Sequence, residues 1–157
     1  MVINQTLLDK LTEEAKASPR LRMNYDLRNS DQDQSQRMLN AIEPGSPLPI
    51  HRHQKTSETV VCLRGRLVWE YYQEVQGSST SEATKSMTRF KVQGVQEPKA
   101  ELVETIELSP NGPVVALNIP AGQWHTVRAL ESGSVILEMK EGKYEPIQDC
   151  DILSVQP

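Results

Sequence analysis

The sequence predicts an all-β protein, a barrel or sandwich of short strands with one short helix at its N-terminus. Between residues 21 and 139, short runs of β-forming residues alternate with turns rich in Gly, Pro, Asn and Ser. A helical pattern of apolar residues occurs before residue 20 and is not repeated after it. Many short strands at this spacing indicate a β-barrel or sandwich and argue against an alternating α/β fold.

The N-terminal helix is predicted from an apolar face that contains Leu8 and Leu11. Thr6 can cap its first turn, because Asp9 follows three residues later. Pro19 should end the helix at or soon after Ser18, since the residue before a proline disfavours the helical conformation.

The predicted strands share β-branched or aromatic residues and flanking turn residues. They are residues 21–27, 37–42, 58–63, 66–72, 87–92, 102–108, 114–119, 126–130 and 135–139.

A length of 157 residues favours a single domain with one core. We expect residues 1–35 to form the helix and an edge strand, and residues 36–140 to form the core of the barrel. Residues 141–157 then form a C-terminal tail. The stretch at about 75–99 is predicted to be an inserted hairpin, because its centre is small and polar.

The composition argues against several classes of protein. A net charge of −4 disfavours nucleic-acid binding, which needs a basic face. The sequence has neither a secretory signal nor an apolar run of the roughly 18 residues that a membrane span requires. Its two cysteines are too few for a disulfide framework, and Cys62 reads as a buried free thiol. We therefore expect a cytoplasmic protein without a membrane or nucleic-acid partner.

All three histidines lie in two short segments flanked by turns. His51 and His53 are two residues apart, so on a strand their side chains project from the same face. A turn after them could bring the carboxylate of Glu58 back towards the imidazoles, and His125 opens a later strand. A lone histidine is more often a surface residue, but three imidazoles with one carboxylate suit a divalent ion of iron, manganese, nickel, cobalt or zinc.

The spacing of these residues resembles the first motif of the cupin superfamily. Gly45 is followed by five residues, His51-x-His53, four residues, Glu58, six residues and Gly65. The resemblance implies a double-stranded β-helix, also described as a jelly-roll-like barrel, with the metal inside. Cupins are commonly dimeric, so the resemblance also implies a homodimer.

The second cupin motif is matched at its centre by Pro120-x-Gly122-x-x-His125. It departs from the family pattern at two positions. The glycine expected six residues before Pro120 is absent, and Ala129 replaces the usual closing asparagine. Neither position is a metal ligand in the family, so the predicted ligand set of His51, His53, Glu58 and His125 is retained.

Three further segments, SPRLRMN at 18–24, QRMLNAIEPG at 36–45 and KEGKYEP at 140–146, resemble the WbuC family of cupin metalloproteins. That family is found near bacterial surface-polysaccharide genes and elsewhere. The resemblance therefore implies a relative in polysaccharide biosynthesis without naming a substrate.

A second set of residues could bind the substrate. Arg22, Arg37 and Asn40 lie on neighbouring predicted strands, and guanidinium groups fork onto carboxylate or phosphate. Tyr71 and Trp124 could line the mouth of the cavity. The alternatives are a solvated edge strand or a dimer contact for the arginines, and core packing for the aromatic residues.

Three functions remain open from the sequence. The first is a metal-dependent enzyme on a small polar, anionic or sugar-derived substrate, of isomerase, epimerase or lyase type. The second is an iron-dependent dioxygenase, which the same ligand set allows. The third is a non-catalytic module that binds a small ligand.

Overall fold

The computed structural model of the chain describes residues 1–75 and 99–153. The chain begins with helix α1 (Gln5–Ala17), and a short 3-10 helix (Asp149–Asp151) precedes the last strand. The strands are β1 (Arg22–Asp26), β2 (Ser35–Ile42), β3 (Ile50–His51), β4 (Glu58–Arg64), β5 (Leu67–Val75), β6 (Lys99–Leu108), β7 (Ala116–Ile119), β8 (Trp124–Ala129), β9 (Ser134–Glu141) and β10 (Ile152–Leu153).

The strands form two five-stranded antiparallel sheets. Sheet I has the order β1-β2-β9-β4-β7, and sheet II has the order β10-β3-β8-β5-β6. One apolar cluster draws on both sheets and includes Val60 and Ile136 of sheet I and Trp69 and Val127 of sheet II. The prediction of an all-β, jelly-roll-like fold with a short N-terminal helix is therefore confirmed, although the sheets remain separate and do not close into one barrel.

Helix α1 covers the outer face of sheet I. Its buried side chains, among them Leu8 and Leu11, pack in one cluster with Leu39 of β2. The predicted cap at Thr6 is wrong, because the helix begins at Gln5 and its N-cap lies two residues before Thr6. Asn4 is the N-cap: its extended backbone lets Oδ1 accept a hydrogen bond from the Leu7 amide at 3.0 Å.

Two short strands were not expected from the sequence. β3 pairs with β8 and with β10, so the predicted C-terminal tail contributes a strand to sheet II. The predicted strand at 87–92 and most of the predicted hairpin at about 75–99 lie outside the described residues. No helix within residues 1–75 and 99–153 is long and apolar enough to cross a membrane.

The turn between β4 and β5 depends on the absence of a side chain at Gly65. Its φ is +79°, and a Cβ there would lie 2.7 Å from the Cα of Ser134. Gly122 has a similar φ of +81°, but a Cβ at that position would have no described atom within 4 Å. The two glycines thus share a left-handed backbone and differ in the space around them.

We expect Gly65→Ala to lower the free energy of unfolding by more than about 3 kcal/mol, because strain and a backbone clash combine. Gly122→Ala, the matched control, should cost only the strain of about 1–2 kcal/mol. Urea denaturation of both variants measures the difference. Equal losses would contradict the close packing at Gly65.

Candidate functional site

The structure brings the three histidines close together at one end of the space between the two sheets. We call this space the interior. In the register of β3 and β8, His51 lies directly opposite His125, and their ring centroids are 4.5 Å apart. The ring of His53 lies 5.3 Å from that of His51 and 6.2 Å from that of His125. The Gly122 amide donates a hydrogen bond to the His53 carbonyl at 2.8 Å, which joins the two motif loops.

Glu58 starts β4 in sheet I and reaches two of these imidazoles. Its carboxylate lies 3.2 Å from Nε2 of His53 and 3.1 Å from Nε2 of His125. Burial alone would raise the pKa of Glu58, but the two neighbouring imidazoles outweigh it and hold that pKa well below its usual range. The carboxylate is therefore ionised and only 4% exposed.

Backbone carbonyls orient two of the imidazole rings. Nδ1 of His125 lies 2.9 Å from the Gln123 carbonyl oxygen, and Nδ1 of His51 lies 3.2 Å from that of Pro49. Because a carbonyl oxygen can only accept, Nδ1 is the donor in both rings, and a ring that is neutral then has its lone pair on Nε2. Burial and the neighbouring His125 lower the pKa of His51 to about 4, so its ring is neutral at pH 7.

These contacts have the spacing expected of neighbouring metal ligands. Two ligands at right angles, each about 2.1 Å from one ion, lie about 3 Å apart. Nε2 of His125 is buried and has no hydrogen-bond partner, although a Glu58 oxygen lies 3.1 Å away. An ionised carboxylate can only accept, so a neutral His125 with its proton on Nδ1 makes no hydrogen bond to Glu58 through Nε2, whereas a cation between the two atoms would bind both.

The four side chains are nevertheless not a complete coordination shell as they stand. Within residues 1–75 and 99–153, no group of three or more His, Cys, Asp or Glu side chains has the arrangement that would hold an ion. Glu58 contacts His53 and His125 directly. These direct contacts compete with binding of all the side chains to one shared ion. The residue types and the pairwise spacings fit an ion, but the four side chains do not point at one common centre.

Lys140 is a site residue that the sequence did not reveal. It lies opposite Glu58 in the pairing of β4 and β9, is 8% exposed, and places Nζ 3.2 Å from Nδ1 of His53. Burial lowers the pKa of Lys140, against the opposing effect of Glu58 and Glu138. The alternation of Ile136, Glu138 and Lys140 along β9 was a usable signal, because Ile136 marks the face that looks inward.

Glu138 is the second residue that the sequence missed. It lies opposite Val60 of the core and accepts a hydrogen bond from Nδ2 of Asn40 at 2.8 Å. Its side chain keeps some exposure, but burial and the charge of Glu58 together raise its pKa to about 7, against the effect of Lys140 and His125.

A pocket of about 370 Å³ opens beside His53. It is lined by His53 and Lys140, by Gln36, and by parts of the segments 52–56 and 140–151. Asp151 closes one side of it, since Arg52 and Gln54 both bind its carboxylate, at 3.0 and 2.6 Å. The C-terminal segment therefore forms one wall of the pocket. A small molecule could reach His53 through this pocket.

The structure separates the predicted substrate residues. Asn40 faces the interior, because its partner in β9 is the core residue Ile136. Tyr71 lies opposite His125 on the same face of sheet II. Trp124 lies on the other face of sheet II, in a cluster with Ile50 and Leu153, and it stacks under the Arg52 guanidinium at 4.2 Å.

The two predicted arginines lie away from the histidines. Arg37 is on the outer face of sheet I beside Leu39, and it binds Asp33 at 2.6 Å. Arg22 pairs in register with Ile42, which lies six residues along β2 from the pocket residue Gln36. Its guanidinium donates a hydrogen bond to the Pro47 carbonyl at 2.7 Å. Their role in substrate binding stays a prediction.

Comparison with solved structures identifies the fold. KdgF from Halomonas sp. is 15% identical with a TM-score of 0.50, over 81% of this chain and 84% of that one. BH2720 from Bacillus halodurans is 16% identical with a TM-score of 0.50, over 99% and 89%. CapF from Staphylococcus aureus, described as a capsular polysaccharide assembling protein, is 16% identical with a TM-score of 0.51, over 89% of this chain and 33% of that one.

The architecture and these neighbours define the chain as a cupin-fold protein. A family model described as "Domain of unknown function (DUF6016)" matches residues 3–84, more than half of the chain, and the chain belongs to this family. The matched range contains His51, His53 and Glu58 but ends before His125. No curated protein sequence matches the chain.

We expect Glu138→Gln to stabilise the metal-free protein above neutral pH. The folded pKa of about 7 lies above the ordinary 4.5, so the stability that this group contributes is complete below pH 4.5 and is lost as the pH rises through 7. The free energy of unfolding of the variant should exceed that of the wild type by about 3 kcal/mol near pH 8 and match it near pH 4.

Denaturant titrations at both pH values measure this effect. Glu104→Gln removes an exposed carboxylate of β6 and serves as the control, with no pH-dependent difference expected. A Glu138→Gln variant that is less stable than the wild type at both pH values would contradict the assignment.

Proposed function

We propose that the chain binds one divalent metal ion on His51, His53, Glu58 and His125 and acts as an enzyme on a small polar ligand. The observation that carries the proposal is the buried Nε2 of His125, which has no hydrogen-bond partner and lies beside an ionised carboxylate. A buried polar atom of this kind is costly unless something pairs with it. A metal ion between the imidazoles and the carboxylate would satisfy it.

The protonation of the rings supports the same proposal. Metal ligation needs neutral imidazoles, and the carbonyls of Pro49 and Gln123 leave Nε2 of His51 and His125 free to ligate. Ordered second partners of this kind fix ring orientation in metal sites. Iron, manganese, nickel, cobalt and zinc all suit three nitrogen ligands and one oxygen ligand.

The ion would supply Lewis acidity towards a carbonyl or hydroxyl oxygen of the ligand. The chain supplies the rest of the site. His53 and Lys140 line the pocket, so a ligand that enters there meets an amino group beside a metal ligand. Trp69 stacks on the His125 ring, and Tyr71 lies opposite His125 in the register of β5 and β8.

A sugar-derived ligand is the substrate class that we favour. The resemblance to WbuC metalloproteins points to polysaccharide biosynthesis, and the fold neighbour CapF is described as a capsular polysaccharide assembling protein. Isomerase, epimerase or lyase chemistry fits a Lewis-acid site. Iron dependence with oxygen consumption would instead indicate a dioxygenase, and metal binding without turnover would indicate a ligand-binding module.

We expect purified protein to contain about one equivalent of a first-row metal, measured by plasma mass spectrometry. His125→Ala and Glu58→Ala should lose it, because each removes a ligand that the others cannot replace. Glu70→Gln is the matched control, since Glu70 is also a buried carboxylate but binds Arg128 and Tyr72 on the outer face of sheet II. It should keep the metal.

Circular dichroism of each variant separates loss of the ion from loss of the fold. A folded wild-type protein that takes up no metal after reconstitution would overturn the proposal. Metal retained at full stoichiometry in both ligand variants would overturn the assigned ligand set.

We also propose that the protein is a homodimer. Within the described residues, β6 is one of the two edge strands of sheet II, and its Leu102 and Val103 are 50% and 59% exposed. Exposed edge strands with apolar side chains favour pairing with another chain. Light scattering should give twice the chain mass at micromolar protein, and Val103→Lys should shift it towards the monomer. A monomeric wild type would exclude the dimer.

A further inference from the structure

A pair of polar side chains lies in the interior beyond the proposed metal ligands. Asn40 of β2 and Glu138 of β9 both face the core, and Nδ2 of Asn40 donates to Oε2 of Glu138 at 2.8 Å. Glu138 is one inward position along β9 from Lys140, which itself contacts His53. The pair therefore continues the polar surface of the site into the space between the sheets.

This pair has unused hydrogen-bonding capacity. Asn40 is 9% exposed, and its Oδ1 is buried without a partner. Within residues 1–75 and 99–153, the hydrogen bond from Asn40 is the one found for the side chain of Glu138. A carboxyl with its second oxygen free can accept a hydrogen bond or, when protonated, donate one.

A second unpartnered atom faces the same interior from sheet II. Nε1 of Trp69 is buried without an acceptor, and the indole stacks on the His125 ring with the ring centroids 5.9 Å apart and the planes inclined by 22°. Buried polar atoms are rarely left unpaired unless a water, an ion or a ligand satisfies them. An acceptor on Asn40 and a donor on Trp69 are complementary to hydroxyl groups, which both donate and accept.

The nearby charges disfavour an anionic group of the ligand at this position. Glu138 and Glu58 are both carboxyl groups, and each disfavours a further negative charge in a poorly solvated space. Lys140 is the one basic side chain that also faces inward in this part of β9, and it is already beside His53. A neutral hydroxyl meets no such repulsion.

We propose that Asn40 and Glu138 bind a hydroxyl group of the ligand, which is therefore a polyhydroxylated, sugar-like molecule that is neutral at its inner end. The ligand accepts from or donates to the Glu138 carboxyl, donates to Oδ1 of Asn40, and extends towards the histidines. This inference rests on the proposed function for the pocket and names its substrate class.

The test uses saturation-transfer NMR on the full chain, both metal-free and loaded with zinc. The probes are glucose, galactose, mannose and xylose, each compared with its aldonic acid. At least one neutral sugar should bind the wild type more tightly than its acid. Asn40→Leu and Glu138→Met should each weaken that binding about tenfold, the effect of one lost polar contact.

Thr59→Val is the matched control. Thr59 is also a polar residue of sheet I, but its hydroxyl binds Asn118 outside the interior, so its loss should leave sugar binding unchanged. Absence of metal in the wild type would overturn the proposed function alone, since the sugar titration is also read in metal-free protein. If no neutral sugar binds the wild type, or if the Asn40→Leu variant binds sugar as tightly as the wild type, this inference alone is overturned.

A ligand-free measurement gives an independent answer. The double variant Asn40→Leu/Glu138→Met removes both members of an incompletely satisfied buried pair, and such replacements are near neutral or stabilising. Its thermal midpoint should equal or exceed that of the wild type. A fall of more than about 4 °C would identify the pair as a structural hydrogen bond and overturn a binding role.

Discussion

The contact of the Glu58 carboxylate with two imidazoles is the interaction on which the site depends. Glu58 belongs to sheet I and His125 to sheet II, so this contact joins the two sheets at the polar end of the interior. An ionised carboxylate that is 4% exposed is very unfavourable without partners. The fold is therefore constrained to keep both His53 and His125 beside it.

The interior changes character along the strands. At the level of Glu58 it is polar, and the residue next to Glu58 in β9 is Lys140. One step further in, Val60 is paired with Glu138, and beyond them the sheets are closed by apolar side chains such as Leu67, Leu108 and Ile136. The apolar end provides the packing of the core. The polar end contains the unsatisfied groups and the proposed site.

The sequence by itself determined the fold class and indicated that the three histidines and Glu58 belong together. Alternating apolar residues and turn residues are local signals, and they indicated most strands to within a few positions. The histidines and Glu58 were also found from local spacing, since His51, His53 and Glu58 lie on one turn and its flanking strands. The short β3 and β10 gave no such signal, because two residues are too few to show alternation.

Only the tertiary structure decided which polar residues share the interior. Alternation tells which residues of a strand lie on the same face, but not whether that face looks inward, so Arg37 and Trp124 could not be placed outside from the sequence. Lys140 and Glu138 reach the site through their register with β4, a pairing between segments about eighty residues apart. Such a register is set by packing of the whole core, which no single stretch of sequence contains.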